Sequence, residues 1–184
     1  MKTYKAIHLL NEKAVNELKN ISSLFSEKER LIFVESKPYV CVSFTPDVYF
    51  KNIHENNSYF ISNYFKPLIM TNYKFLSLLL EISEDPNYKF IDFSFKQDGD
   101  EGDQEKEFVE EIISRERNVQ ASFDFLESKD QTIKYIDLIV CDSKHPIRID
   151  SSGNISVPNN FSEKYSPYII NLIEYLFTGH INKL

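Results

Sequence analysis

The sequence predicts an α+β fold, an antiparallel or mixed sheet with about five helices packed mainly on one face. Segments that alternate apolar and polar residues outnumber those with helical spacing. Several neighbouring strand segments are too close in the chain to hold a crossover helix, which argues against a parallel sheet. The last segment, in contrast, carries a full set of helix start and stop signals.

Residues 3–10 read as a first strand or as a helical start. Asn11 suits a helix N-cap, and Ala14, Val15, Leu18, Ile21, Ser22 and Phe25 then fall on one helical face. Residues 31–35 and 38–44 read as two strands joined around Ser36 and Lys37. Val40, Val42 and Phe44 alternate there with Tyr39, Cys41 and Ser43, the pattern of a half-buried strand. Residues 45–57, with Pro46 and an Asn-rich tip, read as a loop.

Two helices are expected at 58–65 and 71–82, punctuated at Lys66-Pro67. The second places Phe75, Leu78, Leu79 and Ile82 on one face, and Pro86 breaks it. Residues 88–95 form a strand with Ile91, Phe93 and Phe95 on one side. An acidic loop follows, then a helix over 104–117 carrying Phe108, Val109, Ile112 and Ile113. Residues 119–125, 133–140 and 147–149 alternate as strands, and Ser151 to Asn154 form a hairpin turn into 155–157. In the last helix Ser166 is the cap, Pro167 sits at N1, and Ile169, Ile170, Ile173, Leu176 and Phe177 form the buried stripe that Gly179 ends.

With no repeat and no low-complexity linker, residues 1–184 are expected to form a single α+β domain, with the acidic loop 98–107 as the one candidate seam. The 42% hydrophobic and 27% charged content is ordinary for a globular fold. Fifteen Phe and eleven Tyr are a heavy aromatic load that belongs mostly in a core. Two cysteines are too few for a disulfide scaffold. The apolar run at the N-terminus stops at Leu10, short of a signal peptide, and Asn72, Lys74 and Glu81 interrupt the most apolar stretch. A cytoplasmic protein without a membrane span is expected. Abundant Lys, Asn, Ile, Phe and Tyr with scarce Gly and Trp fit the codon usage of an AT-rich genome, such as a low-GC bacterium or its mobile elements.

The net charge of −7 has a single source. Eight acids (Asp98, Asp100, Glu101, Asp103, Glu105, Glu107, Glu110 and Glu111) stand against Lys106 alone, and the rest of the chain is neutral. Nucleic-acid and membrane binders show a basic surplus instead, so neither partner is expected. The four glycines make no phosphate-binding loop, and no cofactor is indicated.

Asp98, Asp100 and Asp103 are weak candidates for a Ca²⁺ or Mg²⁺ site. Their spacing departs from an EF-hand, since Val109 falls where a bidentate Glu belongs. Acids at a helix N-terminus are also explained by its dipole, and acidic glycine-containing loops by solvation. Cys141 and His145, four apart at a strand end, are weak catalytic candidates, because a reactive pair needs more context than spacing. His8 is expected to be partly buried.

The expected function is therefore a non-enzymatic protein-interaction module: an inhibitor, an immunity-type protein or an accessory subunit. Asp98, Asp100, Glu101, Asp103, Glu105 and Glu107 would contact a partner protein with a basic patch, joined by Tyr59 and Tyr64 from an aromatic, Asn-rich stretch. The alternative is an enzyme, either a metal-dependent hydrolase with dispersed carboxylates or a Cys/His enzyme. A homo-oligomer is compatible with either reading.

Overall fold

The computed structural model describes residues 1–27, 31–33, 37–54, 63–96, 102–111, 117–140, 143, 145–161 and 163–179. It is α+β. In chain order the elements are β1 (Lys2–Leu9), α1 (Glu12–Asn16), α2 (Leu18–Ser23), β2 (Leu31–Phe33), β3 (Tyr39–Ser43), α3 (Pro46–His54) and β4 (Phe65–Pro67). Then come α4 (Asn72–Ile82), β5 (Tyr88–Phe95), α5 (Gly102–Glu111), α6 (Val119–Ser128), β6 (Ile133–Val140), β7 (Ile147–Asp150), β8 (Asn154–Val157), a 3-10 turn (Glu163–Tyr165) and α7 (Ser166–Thr178). The contacts divide these elements into two compact units, Met1–Leu68 with Gly153–Asn182, and Ile69–Ser152. Within each unit every strand pairing is antiparallel.

In the first unit the strands run β2-β3-β1-β8, and β4 also pairs with β1. Ile7, Leu9, Val40, Val42 and Phe65 share one face of this sheet and pack on Ala14, Ile21 and Phe25 from the α1–α2 segment. The other face meets α7, which lies against β2 and β3. Ile32, Cys41 and Ala6 are in register on that side, all buried. β3 is consequently buried along Tyr39 to Val42 rather than half-buried, because helices cover both of its faces.

β1 exchanges one neighbour for another along the same edge. Lys2 to Lys5 pair with β8, and Ile7 to Leu9 pair with β4. At the changeover, Ala6 donates to the Gly153 carbonyl at 3.4 Å and accepts from the Leu68 N–H at 2.8 Å. Gly153 has φ of +74°, and a Cβ there would lie 2.2 Å from the Leu68 carbonyl oxygen. Only glycine satisfies both demands.

In the second unit the strands run β7-β6-β5. Ile133, Ile136, Leu138 and Val140 are buried while Lys134, Tyr135, Asp137 and Ile139 are exposed or half-exposed, so β6 alternates as a strand with one covered face does. Phe75, Leu76, Leu78, Leu79 and Ile82 of α4 are buried, with Leu126 of α6 and Val109 of α5. The buried Asn72 amide donates to the Gln131 carbonyl at 2.8 Å and accepts from the Ile133 N–H at 2.9 Å, joining the start of α4 to the start of β6.

Several sequence expectations change. Residues 119–128 are helical, because the Asn118 side chain caps the Ala121 N–H and Ser122 and Leu126 are buried one turn apart. Pro46 opens α3 instead of marking a loop; proline fits a first helical turn, where its missing N–H costs nothing. Residues 65–67 form β4 where a helix end was expected. Ile91 does not share a face with Phe93 and Phe95. A bulge between Phe90 and Asp92 shifts the register and leaves Ile91 exposed. The cap of α7 is Tyr165, one residue before Ser166, and makes no side-chain hydrogen bond, while Gly179 closes the helix in the left-handed conformation as expected.

Candidate functional site

The uncovered face of the second unit's sheet carries charge in an ordered row. Arg148 of β7, Asp137 of β6 and Asp92 of β5 lie opposite one another in register. Arg148 grips Asp137 with two hydrogen bonds, Nε to Oδ1 at 2.8 Å and Nη2 to Oδ2 at 2.7 Å. Its guanidinium carbon also sits 3.6 Å from the Tyr135 ring centroid. The bonded Asp137 holds the guanidinium charged, pushing Arg148 above its ordinary range.

Asp92 faces Asp137 directly, a like-charge pairing that a sheet tolerates only with compensation. Lys106 of α5 supplies it, reaching Asp92 Oδ1 at 3.3 Å. The same lysine lies 5.9 Å from the Phe93 ring. The two aspartates, far apart in the chain, are thus each held by a different cation.

Around Lys106 the acids outnumber it. Burial and the Asp92 carboxylate push Glu110 above its ordinary value near 4.5; Glu107 adds to this and Lys106 opposes it. Glu107, Glu110 and Glu111 are exposed on α5. The exposed Phe108 ring packs at a tilt against Phe125 of α6, with centroids 4.1 Å apart.

Of the acidic-segment candidates, Glu107 stands at this place. Asp103 and Glu105 fall within α5 with side chains outside the described residues, and Asp98, Asp100 and Glu101 lie outside them altogether. Tyr59 and Cys141 also lie outside the described residues. His145 is exposed in the turn before β7, where its carbonyl accepts from the Ser143 hydroxyl at 3.2 Å. Tyr64 is half-buried against the core cluster of the first unit, leaving part of its ring to solvent. Among the described residues no group of three or more His, Cys, Asp or Glu side chains is close enough to hold a metal ion.

The row Arg148–Asp137–Asp92–Lys106 was not read from the sequence. The only signals there were Asp92 and Asp137 at the solvent phase of two alternating strands, and their pairing depends on register. Comparison with protein-family models, with curated proteins and with solved structures finds no match. No helix among the described residues is long and apolar enough to cross a membrane.

Proposed function

We propose that the chain is a non-enzymatic protein-interaction module, of inhibitor, immunity-type or accessory-subunit kind, that docks α5 and the adjoining β5 on a basic patch of a partner protein. The observation that carries this reading is the crowding of carboxylates about Glu110. Asp92 and Glu107 crowd Glu110, Lys106 on Asp92 is the one described cation acting there, and burial first and then the Asp92 carboxylate raise Glu110. An incoming Lys or Arg from a partner would relieve that repulsion, so part of the favourable electrostatics appears only on binding. The exposed Phe108 beside these acids supplies an apolar anchor of the kind that dominates interface energetics.

The test compares the wild type with a Glu107→Gln/Glu110→Gln/Glu111→Gln variant, both immobilised and exposed to lysate of the native host, with retained proteins identified by mass spectrometry. A partner with a basic surface should be held several-fold less by the variant at about 50 mM salt, the gap narrowing near 200 mM as charges are screened. Equal retention by the two proteins at low salt would reject α5 as the contact.

A further inference from the structure

Where α7 begins, a cleft opens between the helix and the first unit's sheet. Lys2 and Tyr4 alternate with Ala6 along β1, so all three side chains share the face that meets α7. Val157 of β8 is directly opposite Lys2 and lies on the same face. After β8 the chain returns to α7 through a turn in which the Phe161 N–H donates to the Pro158 carbonyl at 3.1 Å. The Phe161 ring centroid is 5.7 Å from that of Tyr165. The space left is about 410 Å³, lined by Lys2 and Tyr4 of β1, Ile32 of β2, Val157 of β8, and Phe161 and Glu163 from the return, among others.

The lining holds two charged side chains, and they are of opposite sign. Lys2 comes from a strand, Glu163 from the 3-10 turn before α7. They do not meet: among the described residues neither side chain has an ion-pair or hydrogen-bond partner. Lys164, next to Glu163, stands over the Tyr165 ring, 4.6 Å from its centroid. A cleft beside His8, which stands in register between Tyr39 of β3 and Lys66 of β4, differs: its one lysine, Lys37, is already paired with Glu174 of α7. The cleft at the start of α7 offers an uncommitted charge of each sign.

We propose that this cleft binds a free α-amino acid in its zwitterionic form, its carboxylate held by the Lys2 ammonium, its ammonium by the Glu163 carboxylate, and an apolar side chain resting on Ile32, Val157 and Phe161. None of these residues belongs to the α5 docking surface, which lies in the other unit.

Charge selects the head group. A simple anion would pair with Lys2 and face Glu163 unfavourably, and a simple cation would do the reverse. A zwitterion pairs with both, and two charge-assisted hydrogen bonds at opposite walls fix its orientation. Ile32 and Val157 are buried and Phe161 is half-buried, so the cleft also presents an apolar wall to the amino acid side chain. Clefts of roughly 300–1,000 Å³ that combine apolar walls with a few convergent polar groups hold small molecules. This cleft lies at the lower end of that range, the size suited to a single amino acid.

The experiment titrates the whole chain with L-leucine by calorimetry, beside L-leucinamide, which lacks the carboxylate, and isocaproate, which lacks the ammonium. Saturable leucine binding with each analogue about tenfold weaker supports the site, since each forfeits one charge-assisted hydrogen bond. Lys2→Gln should weaken leucine about tenfold without weakening leucinamide. Glu163→Gln should weaken leucine to a similar degree without weakening isocaproate. No saturable leucine binding, either analogue binding as well as leucine, glycine binding as tightly as leucine, or an unchanged leucine affinity in either variant would each overturn it. Lys2 and Glu163 both reach solvent, so their substitution leaves the fold intact.

Discussion

The first unit's sheet is covered on both faces and the second's on one, and this governs where each can station charge. In the first, Tyr39, Val40, Cys41 and Val42 are buried in succession, and burial drives the Cys41 thiol far above its ordinary value, leaving it uncharged and inert. In the second, the buried Ile133, Ile136 and Leu138 of β6 are each followed by a residue that reaches solvent, as is the buried Ile147 of β7, and Asp137 and Arg148 occupy such places. An ion pair on an open face keeps much of its hydration, whereas the same pair between two helix layers would lose it at a cost of several kcal/mol per ion. Exposed charge is therefore favoured on the open face of the second unit. Among its described residues the first unit buries one charged side chain, Lys5 of β1, and pairs Lys37 with Glu174 of α7.

The comparison can be broken most sharply at Gly153. Substitution by alanine meets the left-handed backbone and the 2.2 Å approach to the Leu68 carbonyl together, so β1 could not keep both β4 and β8. A loss of about 3 kcal/mol or more is expected in urea unfolding. Gly179→Ala is the control: its φ is +77° with nothing within 4 Å of the added Cβ, and backbone strain alone should cost about 1 kcal/mol. Equal losses at the two positions would show that the packed changeover in the first unit is not tight.

The matching weak point of the second unit is Asn72→Ala. Removing that amide strips the Ile133 N–H and the Gln131 carbonyl of their partner on the helix-covered side, an expected loss of about 2 kcal/mol. A loss below about 0.5 kcal/mol would mean that water replaces the amide there, and that even the covered face is wet.

On the open face the expected effects shrink. Arg148→Ala removes a bidentate pair and a ring contact and leaves Asp137 opposite Asp92, yet the Arg148 side chain is 40% exposed and solvent screens the change. About 1 kcal/mol or less should be lost, part of it recovered when Asp92→Asn is added in a double-mutant cycle. A loss as large as that of Asn72→Ala would contradict the open face.

How legible each unit was follows from the same difference. α7 could be read because its apolar stripe and terminal glycine are local signals, and β6 could be read because one open face imposes alternation. α6 could not: Val119, Ala121, Phe123 and Phe125 alternate as in a strand, and the decisive residue is the Asn118 cap just before them. The bulge that turns Ile91 outward has no local mark, since it is a mismatch between two strands. The rows Arg148–Asp137–Asp92 and Lys66–His8–Tyr39 are likewise products of register, set by pairings between segments distant in the chain. The sequence could show an acidic run, but it could not show that Lys106 would be drawn off to Asp92.

The smallest expected effect bears most directly on recognition. Glu110 titrates higher in the folded chain than its ordinary value because of burial and Asp92, so between the unfolded and folded pKa values the native state binds more protons. Stability contributed by this group is greatest in acid and falls as pH rises through that interval, the reverse of an ordinary salt-bridged carboxylate. Glu110→Gln should remove the penalty and gain about 0.3 kcal/mol at neutral pH, modest because the side chain is exposed and screened, with no gain below about pH 4. Urea unfolding of the two proteins across that range checks the sign. A loss of stability at neutral pH would instead make Glu110 a structural partner of Lys106, and would take away the electrostatic frustration that a basic partner is proposed to relieve.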